Sequence, residues 1–195
     1  WQDGKIWKHD GTSWKQVVEF IRPQEKRISF YEIWGDSPSN IFATGFSGPP
    51  ENVISIIANY DGIKWELNEF PDIKYGMLII KRDSKSKKYY LLGIENKPDG
   101  DWIYGLFEYD GNKSLKQIYK GSNGQESWSS IQNIDGKIYF TIGTTIYNYI
   151  DGEFKPFLQV GDTNFWTALY GRSEKDIFLI MKFGITHYNG TDIKH

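Results

Sequence analysis

The chain has 195 residues, carries 23 basic against 25 acidic side chains for a net charge of −2, and contains no cysteine. That near-balance excludes the one-sided field of a nucleic-acid clamp or a polybasic membrane surface. The missing thiols exclude disulfide scaffolds, thiolate metal sites and cysteine nucleophiles.

Aromatic residues make up 17% of the chain, with 20 glycines and only 2 methionines. Aromatic and β-branched runs punctuated by Gly, Asn and Asp predict short strands joined by tight turns. No run of about 18 apolar residues predicts a membrane-spanning helix. The first residue is Trp, so the sequence reads as a processed chain or a fragment.

The predicted elements form a repeating set of four strands, A to D. Residues 1–20 hold only C and D, with Ile6-Trp7-Lys8-His9-Asp10-Gly11 followed by Trp14. A complete set follows at 27–70: A at Tyr31–Trp34, B at Ile41–Thr44, C at Ile54–Tyr60 and D at Ile63–Asn68. The third, at 75–120, places an A–B turn at Lys85-Ser86-Lys87-Lys88 and a C–D turn at Asp110-Gly111. In the fourth, at 127–160, the turns fall at Asp135-Gly136-Lys137 and Asp151-Gly152. The fifth, at 165–195, matches the second without a gap: Leu169–Leu179 aligns with Ile33–Ala43. The Asp or Asn of the C–D motif recurs at 10, 61, 110, 151 and 189, spacings of 51, 49, 41 and 38 residues. Asp-Gly and Asn-Gly between apolar runs predict type I′ hairpins. A four-stranded unit at this period predicts an all-β fold, a β-propeller with about four blades and a two-stranded half blade. Such an open arrangement leaves apolar faces bare, so further sequence or a partner is expected to complete the ring.

These residues resemble the β-propeller repeats of bacterial secreted and cell-surface proteins, whose blades read W-G-x-S-x-x-D-aliphatic-aromatic-A-x-G and then aliphatic-x-x-Y-D-G-x-x-W. The match lies at 33–45 with 57–65 and at 169–178 with 185–190. They are also similar to the Asp-box repeats of sialidase-like propellers, although Asp-Gly-x-x-Trp here is one residue shorter. The resemblance implies a fold and an extracytoplasmic location (secreted, periplasmic or cell surface).

No catalytic constellation is legible. Gly45-Phe46-Ser47-Gly48-Pro49 breaks the nucleophile elbow at its last position, and only four arginines exist to grip a carboxylate. His9 and His187 occupy neighbouring positions of the C-strand motif, which suits a turn-flanking role. The function expected is therefore a non-catalytic binding or assembly module for a carbohydrate or protein ligand, without cofactor or metal. The alternative is a glycan-active enzyme, a glycoside hydrolase or sialidase-like protein, on the same blades. Two candidate surfaces stand out. Aromatics where strand A begins, Tyr31, Tyr75, Trp128 and Trp166, would either line a ligand mouth or wedge between blades as core. The long B–C loops offer Glu51 and Asn52, then Asp99 and Asp101, on a rigid scaffold. The basic run from Lys81 to Lys88 reads as a solvated turn. Partners expected are a protein or a glycan, with self-association possible; no nucleic acid and no membrane insertion are expected.

Overall fold

The computed structural model describes residues 4–21, 27–49, 52–97, 100–121, 130–160, 165–181 and 183–194, without the side chains of 165–167. Among these residues the fold is all-β, as the composition requires. A two-stranded ribbon, β1 (Lys5–His9) and β2 (Trp14–Glu19), comes first. Four antiparallel sheets of four strands follow. The first contains β3 (Ile28–Ser37), β4 (Asn40–Ser47), β5 (Ile54–Tyr60) and β6 (Trp65–Phe70). The second contains β7 (Gly76–Arg82), β8 (Tyr89–Asn96), β9 (Trp102–Tyr109) and β10 (Leu115–Lys120). The third contains β11 (Ser130–Ile134), β12 (Lys137–Ile142), β13 (Thr145–Ile150) and β14 (Glu153–Gln159). The fourth contains β15 (Phe165–Ser173), β16 (Asp176–Met181), β17 (Gly184–Tyr188) and β18 (Ile193–Lys194). Every sheet runs strand to adjacent strand.

The hairpins form where the motifs place them, but the turn chemistry differs from expectation. Two turns have positive φ at both central residues, as type I′ demands: Asp135-Gly136 (50° and 82°) and Asp151-Gly152 (54° and 85°). At Asp10, Asp61, Asp110 and Asn189 the turn is longer, and of the two motif residues only the glycine is left-handed. There the Asp or Asn Oδ1 accepts two backbone N–H groups inside the turn. The donors are Thr12 and Ser13 for Asp10, Ile63 and Lys64 for Asp61, Asn112 and Ser114 for Asp110, and Thr191 and Asp192 for Asn189. This is an Asx cap, which satisfies orphan turn amides without strained backbone at the acidic residue. The preceding residue completes it. Tyr60 Oη donates to the Gly62 carbonyl at 2.8 Å, and Tyr109 Oη donates to the Asn112 carbonyl at 2.8 Å. His9 does the converse, its Nδ1 accepting from the Gly11 N–H. Across the hairpin Trp65 stacks near Tyr60 and Trp14 near His9, at 5.3 and 5.1 Å between centroids.

The caps hold both Asp10 and Asp61 below the ordinary carboxylate range, Asp61 chiefly through the Lys64 and Ile63 amides. Lys15, at 2.7 Å, and then the Ser13 and Thr12 amides hold the Asp10 carboxyl at about 2. A folded value below the unfolded one means that the cap is complete above pH ~4 and is lost as pH falls from there towards 2. An NMR titration of Asp10 is expected to show its midpoint near pH 2, and Asp10→Asn to abolish the acid-induced loosening of the β1–β2 hairpin. An Asp10 midpoint near pH 4 would refute the cap.

The A–B hairpins of the first and fourth sheets share one device. The register slips between Gly35 and Ser37 and, identically, between Gly171 and Ser173. A Cβ on either glycine would fall about 3 Å from the carbonyl oxygen of Asn40 or Asp176 across the turn. The side chains that flank the bulge pair across it: Asn40 Nδ2 donates to Asp36, and Arg172 Nε donates to Asp176.

The chain divides into two compact units, residues 1–80 with 93–100 and residues 81–92 with 101–195. In the first, Ile6 of the ribbon packs on Ala43 and Ala58, flanked by Val18, Phe20, Phe30, Trp65 and Leu67. Within the same unit β7 meets β3, where the Ile80 N–H donates to Glu32 Oε2 at 2.5 Å. In the second unit Tyr90 packs edge-on against Phe140, 5.4 Å away. Asn133 Nδ2 of β11 donates to the Arg82 carbonyl of β7 at 2.6 Å. The third and fourth sheets of that unit share a core of Ile134, Tyr139, Ile146, Val160, Leu169, Ile177, Leu179 and Met181.

Candidate functional site

The B–C connections of the first two sheets are longer than those of the last two. The β4–β5 connection spans residues 48–53 and the β8–β9 connection spans 97–101, whereas β12–β13 and β16–β17 turn in two residues each. Loops held on rigid strands are a common place for recognition.

At the B–C end of the first sheet the structure gathers three of the residues singled out from the sequence. Tyr31 is 56% exposed, with its ring 5.7 Å from Phe46. A Cβ on Gly76 would lie 3.5 Å from the Tyr31 ring, so the bare backbone seats one edge of it. Asn52 closes its loop by donating its N–H to the Pro49 carbonyl at 2.9 Å, and its Oδ1 accepts from Lys74 Nζ at 3.2 Å. Tyr75 also comes here but is 5% exposed, leaving no ring face for a ligand in this structure. Its carbonyl accepts from Ser55 Oγ at 2.7 Å. Asp101 is exposed at the end of the β8–β9 connection, just before β9, in the second unit. Glu51, Asp99 and Trp128 lie outside the described residues, as does the side chain of Trp166, whose backbone forms part of β15.

The opposite end, where the A–B turns lie, holds a polar network that sequence reasoning did not find. In the second unit Lys137 Nζ and Tyr139 Oη both donate to Glu174 Oε1, each at 2.5 Å. Lys137 first, then Tyr139, lowers the Glu174 carboxyl, and the same contact raises the Lys137 ammonium. Burial, followed by the Glu174 hydrogen bond, pushes the Tyr139 hydroxyl well above its ordinary range. Lys137 and Glu174 are 37 residues apart and share no motif position. The sequence signal was weak: charged residues in two successive A–B turns. A cleft of about 230 Å³ lies here, lined by Asp135, Lys137, Ser173, Glu174 and Lys175.

The two histidines among the described residues serve their own sheets. His9 caps its turn, while His187 stacks on Phe178 at 4.3 Å and hydrogen-bonds Asp176 at 2.9 Å.

No family model and no curated protein matches this chain. Among solved structures it is similar to the extracellular domain of a one-component system from B. thetaiotaomicron, with 12% identity and a TM-score of 0.33. The alignment covers 94% of this chain and 35% of that one, so the chain spans about a third of that neighbour's length.

Proposed function

We propose that the chain is a non-catalytic binding or assembly module whose sheets follow one another as blades of a β-propeller. The ligand, a glycan or a protein surface, would be received at the end carrying the long B–C loops. Support for the propeller comes from first strands lying beside first strands within each unit: β7 against β3 through Glu32, β11 against β7 through Asn133, and β15 against β11. Radial stacking of blades produces that adjacency, whereas two sheets packed face to face bring inner faces together across the whole sheet. An extracytoplasmic location belongs to the same proposal.

The binding reading rests on one observation. Tyr31 presents an aromatic face at the rim of the sheet, held by Phe46 and Gly76, beside the six-residue loop that carries Asn52. Fixed aromatic surface costs little conformational entropy on binding and is typical of interface anchors. The test is a glycan array, with a peptide library in parallel, followed by a turnover assay on any hit. Retention without product is expected, and Tyr31→Ala is expected to weaken it more than tenfold, or over about 1.4 kcal/mol, with an unchanged circular dichroism spectrum. Product release would establish the glycan-active alternative. Undiminished binding by Tyr31→Ala would remove this site.

A further inference from the structure

Next to the Lys137–Glu174 pair in the second unit lies another cleft, of about 270 Å³, lined by Asp83, Lys85, Lys137, Ile138, Asn148, Tyr149 and Ile150. It is built from three hairpins: the β7–β8 turn supplies Asp83 and Lys85, the start of β12 supplies Lys137 and Ile138, and the end of β13 supplies the rest. The turns are fixed to one another. Ser84 N–H donates to the Gly136 carbonyl at 2.9 Å, and Asp83 Oδ1 accepts from the Lys85 and Ser86 amides. The walls are therefore preformed.

The lining is amphipathic. Tyr149, Ile138 and Ile150 offer ring and aliphatic surface, with the Tyr149 ring braced 4.9 Å from Phe154 and 6.0 Å from Tyr90. Lys85 and Lys137 are donors, Asp83 is an acceptor and Asn148 is both. Lys137 is already neutralised by Glu174, so the cleft lacks the concentrated positive field that an anion site needs. Apolar surface on one side and mixed donors and acceptors on the other match a neutral pyranose, which has a C–H face and a rim of hydroxyls. The volume lies just below the roughly 300 Å³ at which drug-sized sites begin, which suits one sugar ring.

We propose that this cleft binds a single neutral hexopyranose unit, at the sheet end opposite to the B–C loops. The proposal is independent of the Tyr31 site, because it uses other residues, another unit and the other end of the strands.

The experiment is an amide NMR titration of the whole chain with the methyl pyranosides of glucose, galactose and mannose, and with sodium phosphate at matched ionic strength. At least one glycoside is expected to perturb Lys85 and Asn148–Ile150 with millimolar affinity, the strength normal for about −4 kcal/mol. Asn148→Ala is expected to weaken that binding at least tenfold. Lys85→Ala, on an exposed turn, is expected to weaken it about threefold while leaving the fold intact, should Asn148→Ala disturb β13. Absence of any shift in these residues at ~100 mM glycoside, roughly a hundredfold above the expected constant, would overturn the proposal. So would shifts that persist in both variants, or shifts produced by phosphate alone. Perturbation confined to Tyr31 and residues 48–53 would support the first site and refute this one.

Discussion

Gly45→Ala is expected to lower the melting temperature by about 6–12 °C, the equivalent of about 3 kcal/mol in a chain of this size. Gly45 lies in the middle of β4, paired with Phe30 just where the β3 register slips before Glu32. A Cβ built there would fall 1.8 Å from the Ser29 carbonyl oxygen and 2.9 Å from the Phe30 Cα. Both are backbone atoms, so no rotamer change relieves the overlap, and β3 must move away from β4. Relaxation would spread into a face packed against the ribbon through Ala43 and Ala58. Gly184→Ala is the matched control, because nothing lies within 4 Å of its added methyl. It is expected to change stability by no more than about 0.5 kcal/mol. Thermal melts of the two variants side by side check this, and equal melting temperatures would show that β3 and β4 do not approach as described.

Phe140→Ala is expected to cost about 3–5 kcal/mol in urea denaturation. Phe140 is fully buried on β12, edge-on to Tyr90 and Phe154 at 5.4 Å each and to Tyr149 at 6.3 Å. Tyr90 belongs to the neighbouring sheet, and burial drives its hydroxyl up to about 12. Removing the central ring would leave a cavity that three rigid aromatics cannot collapse to fill, and partial collapse is what sets the cost of such a truncation. Ile63→Ala, at a side chain that is 89% exposed on a turn, is expected to stay within about 0.5 kcal/mol. A Phe140→Ala cost below about 1 kcal/mol would mean that the second and third sheets do not share this core.

Local pattern carried a great deal of this protein. The Asp/Asn-Gly pairs and the Gly-x-Ser bulge mark hairpins that the structure contains, since a turn is closed by residues two to five apart. What local pattern misjudged was the chemistry of closure. The sequence Tyr-Asp-Gly suggests a two-residue type I′ turn, yet the aspartate side chain caps two amides and needs no left-handed φ. Aspartate can do either, and the length of the following loop selects between them: two residues at Asp151, four at Asp61.

The candidate site was less legible. Tyr31 and Tyr75 look alike in sequence, each an aromatic where a first strand begins. One is exposed and the other buried, a difference that residue type does not announce. Lys137, Tyr139 and Glu174 carry no motif at all, and they meet only when one A–B turn is set beside the next. All-β architecture and turn positions could therefore be read from residues close together along the chain, where hydrogen bonding and alternation are local. Strand ends shifted: β3 runs Ile28–Ser37 instead of Tyr31–Trp34, and β6 starts at Trp65 instead of Ile63. Burial, the Glu174 network and the shape of the clefts depended on how sheets settle against one another, since desolvation and side-chain contact belong to neighbours in space.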